Sequence, residues 1–375
     1  FGRGICRIGH SWSPLAHGLV CPSIRRKVGN RDSPPTVYRY AMTKLIYVDD
    51  DLPGITRKGA GKGWAYYDPK GRLITDRVER RRLNAIALPP AYVDEWFCPA
   101  PNGHILATGI DAKGRKQYRY HPDFRAEREG EKFDRCIAFG SLLPLVRKKV
   151  EEDLRGSKLT RERATASVVR LLDLGAVRVG NTGYAERNKS YGATTLRRKH
   201  AEVTGKTLKL RYKGKSGKMR EVSLTDGSLA RAVRKMQDLP GQNVFKYIDE
   251  DGEVQTVDSG DVNEYLEACM GERFTAKNFR TWHASVMGFE CLREGGGRMP
   301  MKALLDCVAG QLGNTPAVTR KSYIHPAVID LVERQEDWRQ GLRLPRATRW
   351  LTREERGLIE LLQESPSAAD LLAAA

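Results

Sequence analysis

Several absences narrow the class of this 375-residue sequence before any motif is read. It has no run of about 18 apolar residues and no isolated basic amphipathic helix, so neither a membrane span nor a membrane-surface anchor is expected. Its seven cysteines, Cys6, Cys21, Cys98, Cys136, Cys269, Cys291 and Cys307, form no CxxC pair, and their total is odd. A reduced, intracellular protein without a cysteine metal site is expected. Its seven histidines include no HxxxH pair, so no metal constellation stands out. Acid is also scarce: 46 Asp and Glu face 65 Lys and Arg, a net charge of +19. That excess points to a polyanionic partner, nucleic acid before anionic membrane. The length is sufficient for two domains with their own cores.

A nucleotide-cradling loop is missing as well. YKGKSGK, Tyr212 to Lys218, contains GKS, but the P-loop glycine five residues before the GK pair is here Lys209. TLKLRY before it and MREVSL after it alternate apolar and polar residues at strand period, so the segment is expected to be a β-hairpin with Lys215 at its tip. No ATP site follows, and the lysine needs another phosphate.

The first 41 residues carry seven Arg or Lys against one acid, Asp32, and precede MTKLIYVDDDLPG, which reads as a natural start at Met42. This leader is expected to be disordered or to lie outside the working protein, with an organellar transit peptide as the alternative. Residues 42–125 show short strand signals, LIYV, GKGWAYYDPKGRLI and PNGHILATGIDAKGRKQYRYH, whose DPKG, PNG and DAKG turns suit a small antiparallel sheet. Within them Lys113, Arg115, Lys116 and Arg119 interleave with Tyr118, Tyr120 and His121. Cations for phosphates beside flat rings for bases suit a nucleic-acid surface; an edge strand with a charged wet face is the alternative.

After FRAEREGEKFDR, read as a charged linker, the pattern turns helical. In LTRERATASVVRLLDLGAVRVGN, Ala164, Val168, Leu171, Leu172 and Val179 recur near helical spacing and Gly180 closes the run. YIDEDGEV reads as a turn between short strands; Asp249 and Asp251 resemble a DxD metal pair, but Asp-Gly turns are commoner. Phe279, Trp282, Val286 and Phe289 mark the buried face of a later helix, with Arg280 beside that face. In LGNTPAVTRKSYIHP, Gly313 stops one helix, Thr315 caps the next with Pro316 in its first turn, and Pro326 forces His325 out of helical geometry. Tyr323 is thereby set at a helix end beside Arg320 and Lys321, either facing a groove or packed under the turn.

Taken in order, LNAIALPPAYVDEWFCPAPNGHILATGIDAKGRKQYRYHP, RVGNTGYAERNKSYGATTLRRKH, GKSGK, DLPGQNVFKYIDEDG, DVNEYL, FTAKNFRTW and LGNTPAVTRKSYIHP make the chain resemble the type IB DNA topoisomerases, specifically the small single-chain bacterial kind related to the viral enzymes. The resemblance runs from Met42 to about Val332. It implies an α+β fold: a small N-terminal antiparallel β domain at 42–125, then a mainly helical catalytic domain at 126–340 of the DNA breaking-rejoining type with a β-hairpin insertion, and a helical tail at 341–375. It further implies duplex DNA as partner, clamped by a monomer, no cofactor and no metal, and a place in the bacterial cytoplasm at the nucleoid.

By the same resemblance Tyr323 of the SYIHP motif is the nucleophile that leaves a 3′-phosphotyrosyl link and a free 5′-hydroxyl. Arg178 of RVGN and Arg280 of KNFRTW are the catalytic arginines, and Lys215 is the hairpin lysine. Asn314, nine residues before the tyrosine, stands where many relatives have histidine. Gln117, Tyr118 and Tyr120 match the base-contacting stretch, with Arg115 and Lys116 near phosphates. The chemistry fits these residue types. In-line attack loads charge onto the non-bridging oxygens, which paired guanidiniums meet with bidentate donors and an asparagine amide with one more. The departing 5′-oxygen needs a proton, which a lysine among other cations can deliver. A tyrosine with an ordinary pKa of about 10 and no evident base is helped as phenolate by the arginines. Two rivals remain open here. Tyrosine recombinases share the chemistry, but their His-x-x-Arg pair is Lys277 and Arg280 in this chain; a non-catalytic basic DNA-binding protein would need only the charge.

Overall fold

The computed structural model describes residues 44–61 and 63–374, so the Arg-rich leader lies outside the described residues. Strands β1 (Thr56–Ala60) and β2 (Gly63–Tyr67) pair antiparallel, and helix α1 (Arg77–Ala85) follows, its first turn capped by the Asp76 carboxylate, which accepts from the Val78 and Glu79 amides. Strands β3 (Val93–Phe97), β4 (Ile105–Ile110) and β5 (Lys116–Tyr120) form a second antiparallel sheet in that order. The single sheet expected here is therefore two, and LIYV contributes only an isolated bridge from Ile46 to Gly103. In the DPKG and DAKG turns, Asp68 and Asp111 each accept backbone amides two and four residues on, the Asx geometry that fixes both corners. Ile55, Tyr66, Leu83, Leu88, Phe97 and Ala107 close a small core of their own.

Helix α2 (Pro122–Arg155) runs straight through FRAEREGEKFDR, so the expected charged linker is helix. Its Glu, Lys, Arg and Ala residues favour helix intrinsically, and Phe133, Cys136, Phe139, Leu143, Val146 and Val150 recur every three or four residues on the buried side. Helix α3 (Arg161–Gly175) is capped by Thr160 and packs on α2; it stops at Gly175, with Ala176 in the left-handed region at φ 46°, five residues before the expected stop at Gly180. The chain released there has no regular secondary structure and carries Arg178.

Helix α4 (Thr182–Asn188) precedes a three-stranded antiparallel sheet of β6 (Ala201–Thr204), β7 (Thr207–Lys213) and β8 (Met219–Thr225). The β7–β8 pair is the expected hairpin, and Lys215 sits in its tip. Helix α5 (Gly227–Asp238) leads to β9 (Lys246–Ile248) and β10 (Val254–Thr256), joined by a turn in which Asp249 accepts the Asp251 and Glu253 amides and the Gln255 side chain. The Asp249 and Asp251 pair is thus a turn, as its spacing suggests. Then come α6 (Ser259–Met270), α7 (Ala276–Glu294), α8 (Met301–Leu312), α9 (Pro316–Ser322), α10 (Pro326–Asp330), α11 (Gln335–Gly341), α12 (Arg353–Glu364) and α13 (Ala368–Ala374). The architecture is α+β, with a helical core behind small antiparallel sheets.

Phe279, Trp282, Val286 and Phe289 are all buried in the large helical core. Trp282 lies so close to α2 that a Cβ on Gly140 would come within 2.3 Å of its ring. A buried polar network ties the tail to this core. Arg147 of α2 donates to Asp173 of α3 through Nε and Nη2, at 2.9 Å each, and to Glu355 of α12 at 2.7 and 2.8 Å. The Trp282 indole donates to the same Glu355 at 3.2 Å. Cys291 of α7 and Cys307 of α8 are joined as a disulfide, which corrects the expectation of thiols throughout: the two helices pack side by side and bring together cysteines that the sequence spaces without any pairing motif. No helix among the described residues is long and apolar enough to cross a membrane.

Candidate active site

Five separate segments converge on one cleft. Helix α8 ends at Gly313, φ +64°, and the Asn314 amide turns back to the Ala309 carbonyl at 3.1 Å. Thr315 then caps α9, its hydroxyl accepting from the Val318 amide at 3.3 Å. Tyr323 is the C-terminal cap of α9, and His325, φ −60° and ψ 137°, starts α10. The nucleophile's turn is pinned from behind by groups that sequence reasoning did not single out. Lys132 of α2 donates to the Ser322 carbonyl at 3.1 Å, and the Ser285 hydroxyl accepts the His325 amide at 3.0 Å. Neither belongs to a recognisable motif; only the helix packing reveals them.

Arg280 lies near the start of α7 and is 4% exposed, more deeply buried than its place beside the apolar face suggested. The covering is polar backbone: its Nη1 donates to the Ala176 carbonyl and its Nη2 to the Leu312 carbonyl at 3.1 Å. Its Nε has no partner. Arg178 is held by a backbone zipper in which the Ala193 amide donates to the Arg178 carbonyl at 2.8 Å and the Thr194 amide to the Val179 carbonyl at 2.7 Å. That approach depends on Gly192, where an added Cβ would fall 2.5 Å from the Arg178 carbonyl oxygen and from the Gly180 nitrogen.

Asn314 joins the two guanidiniums. Its Oδ1 accepts from Arg178 Nη2 and, at 3.3 Å, from Arg280 Nη2. Two donors on the oxygen fix the amide orientation and leave Nδ2, which has no partner, as a donor. The Tyr323 ring is half-buried, its centroid 5.0 Å from the Arg280 guanidinium carbon. Burial alone would raise the phenol's pKa, but the charges of Arg280, Arg178 and Lys215 outweigh it and hold the group below the ordinary tyrosine value. Burial, with repulsion from Arg178 and Arg220 adding to it, pulls Arg280 down to about 10, so it stays charged at neutral pH. Arg178, Lys215, Arg220 and Arg280 line the cleft with Tyr191 and Tyr212. The arrangement can bind a phosphodiester with oriented donors, favour a phenolate beside it and present an ammonium to a leaving oxygen.

On β5, Tyr118 and Tyr120 project from one side of the strand, exposed and stacked with centroids 5.7 Å apart. Arg115 is paired with Asp111 through Nε and Nη2 at 2.9 and 2.6 Å, and Gln117 donates to the same carboxylate at 3.1 Å. Lys116 lies 2.8 Å from Asp50. Asp49, Asp50 and Asp51 are close enough to share an ion, but an exposed acidic cluster with Asp50 already paired to Lys116 carries no metal assignment.

The site's geometry can be set beside known proteins. Residues 121–335 match the family described as the catalytic core of eukaryotic DNA topoisomerase I, and residues 63–111 match the N-terminal domain of bacterial DNA topoisomerase IB. The chain is 31% identical over 303 residues to DNA topoisomerase 1B of Acanthamoeba polyphaga mimivirus, a match covering 76% of this chain and 90% of the relative. It is 28% identical over 222 residues to DNA topoisomerase 1 of Mycosarcoma maydis, across 53% of this chain and 22% of the relative. To DNA topoisomerase I of Monkeypox virus it is 20% identical over 236 residues, across 61% and 73%. With the family's catalytic core matching more than half of this chain and a viral relative matched nearly end to end, this chain belongs to the type IB DNA topoisomerases.

Proposed function

We propose that this enzyme relaxes supercoiled duplex DNA through Tyr323. Its phenolate oxygen attacks the scissile phosphorus, the bond from phosphorus to the 5′-oxygen breaks, and Lys215 gives that oxygen a proton. Arg178, Arg280 and the Asn314 amide bind the non-bridging oxygens as charge builds on them. The 3′-phosphotyrosyl bond conserves the energy of the broken diester, so after strand rotation the 5′-hydroxyl reverses the step without nucleotide hydrolysis. The observation that carries this reading is the shared Asn314 oxygen: two arginines 102 positions apart in sequence meet on one amide beside the tyrosine ring.

Arg115, Lys116, Gln117, Tyr118 and Tyr120 form the second half of the reading, as a duplex-holding strand. In the free protein Arg115 and Lys116 are neutralised by Asp111 and Asp50, and exchange of those carboxylates for phosphates couples DNA binding to salt. We take residues 42–125 and 126–340 as the two jaws of a monomeric clamp; their separate apolar cores support that division. Action on cytoplasmic, nucleoid DNA completes the proposal.

Plasmid relaxation in EDTA without nucleotide tests it. Both negative and positive supercoils should be removed. Tyr323→Phe deletes one oxygen, so duplex binding and thermal stability should persist while relaxation and the denaturant-resistant DNA adduct disappear. A strict need for ATP or Mg²⁺, or an adduct that survives in the Phe variant, would overturn the reading.

A further inference from the structure

The general-acid hairpin has a fastening that the catalytic set does not account for. Lys215 sits at an exposed tip: the Gly214 amide donates to the Lys218 carbonyl at 2.8 Å, and Ser216 and Gly217 both adopt positive φ, at 63° and 77°. Such a tip owes its internal shape to these contacts, but they do not set its distance from the nucleophile. Just before the tip, the Tyr191 amide donates to the Lys213 carbonyl at 2.8 Å and Tyr212 is buried, which ties β7 to the Arg178 side of the cleft. Toward the Tyr323 side, the one side-chain hydrogen bond among the described residues comes from a single side chain.

That side chain is Arg220, which faces Tyr212 across the β7–β8 ladder. Its stem lies over the residue just before the lysine: a Cβ on Gly214 would be 3.1 Å from Arg220 Cγ. Its guanidinium reaches out of the hairpin to the end of α8, where Nη2 donates to the Gln311 carbonyl at 2.8 Å. The contact is chemically apt, because the last turn of a helix presents unpaired carbonyls and a partial negative charge. Arg220 also fits tightly against the turn before Asn314. A Cβ on Gly313 would fall 2.3 Å from Nη1, so Gly313 both stops the helix and leaves room for the guanidinium. Among the described residues this is the one side-chain hydrogen bond from the hairpin to the α8–α9 turn.

We propose that Arg220 is a positioning residue that docks the Lys215 hairpin onto the turn carrying Asn314 and so sets the general acid against the leaving oxygen. The inference rests on the reading of Lys215 as that acid. Arg220 acts through Lys215. It is distinct from Arg178 and Arg280, whose shared partner is the Asn314 amide and whose proposed target is the phosphate.

The test compares two duplexes carrying a cleavage site mapped for this enzyme, one with the ordinary bridging 5′-oxygen and one with sulfur there, a leaving group that needs no proton. Rates are measured in single turnover at saturating full-length enzyme. Arg220→Met keeps the stem over Gly214 and removes the guanidinium. It is expected to slow cleavage of the oxygen duplex about 10–100-fold, the cost of misplacing a reacting group by about an ångström, and the saturating enzyme keeps any loss of DNA affinity out of that rate. On the sulfur duplex it should run at nearly the wild-type rate. Arg220→Lys, which retains charge and a donor, should fall between, and Lys215→Ala/Arg220→Met should be no slower than Lys215→Ala alone.

Lys215→Ala is the internal reference. If its own defect persists on the sulfur duplex, the general-acid reading fails. If Lys215→Ala is rescued by sulfur but Arg220→Met is not, the docking role alone is overturned and Arg220 is a phosphate contact. A full-speed Arg220→Met on the oxygen duplex overturns it as well.

Discussion

Replacing Arg147 by methionine should invert the acid response of the helical core. In the folded chain the Arg147 side chain is 14% exposed and those of Asp173 and Glu355 are 5% exposed each, so three largely buried charges share one site. Methionine keeps most of the stem's packing and leaves two buried carboxylates without their cation. Breaking such a group from one side costs about 3–5 kcal/mol at neutral pH. The wild-type sign follows from Asp173 and Glu355: despite burial, Arg147 holds both below their ordinary values, so their stabilising contribution is present above about pH 4 and fades as acid titrates the folded carboxylates. Without Arg147, burial raises both, and protonating them removes the buried charge. Urea unfolding followed by tryptophan fluorescence at pH 7, 6 and 5 measures the gap between variant and wild type. The gap should be largest at pH 7 and shrink on acidification. A variant within about 0.5 kcal/mol of wild type at pH 7 would show that the network contributes little, since that is the spread of ordinary surface substitutions. A gap that widens with acid would refute the charge argument.

His325→Asn keeps an acceptor for the Ala327 amide, which His325 Nδ1 now receives at 3.1 Å, but removes a titrating group. Burial, aided by the Lys132 ammonium, pulls His325 down to about 4, so the wild-type stability it carries is complete above about pH 6.5 and lost toward pH 4. The Asn variant should show a slope shallower by about 2–3 kcal/mol across that window in pH-dependent unfolding. Gly192→Ala forces backbone apart beneath Arg178 and should cost about 1–3 kcal/mol of stability. It should also slow single-turnover cleavage by about 10²-fold, checked against unchanged duplex affinity.

Local chemistry made much of this fold legible. The Lys215 hairpin, the Asp249 turn, the Thr315 cap and the Gly313 stop each depend on a few adjacent residues whose backbone demands are strong, and all four stand in the structure as read. The misreadings share the opposite property. FRAEREGEKFDR has a charged surface pattern that suits a linker or a helix equally, and what decides it is the row of buried residues from Phe133 onward, meeting α3, α6 and α7. The α3 stop was misplaced because Val179 continues the apolar spacing after the helix has ended. Ala176 ends the helix in the left-handed region, a place where local rules favour glycine or asparagine over alanine.

The candidate site divides along the same line. The residue types proposed for the chemistry could be singled out because phosphodiester chemistry restricts them; the groups that position them could not, because positioning can be done by anything with the right reach. Lys132, Ser285 and Arg220 each donate to or accept from backbone at the edge of the site, and a backbone carbonyl places no constraint on which sequence position answers it. Arg280 shows the converse. Its guanidinium is committed to two carbonyls and one amide before any DNA arrives, so in the proposed reaction it meets the phosphate already desolvated and oriented, with an unpartnered Nε still to donate. A donor held that way need not reorganise as charge grows on the phosphate oxygens, which is where electrostatic catalysis draws its advantage over water. The buried arginine that looked, from helical spacing, like a side chain beside the core is therefore built into it, because a rigid wall of backbone carbonyls is what keeps its charge aimed.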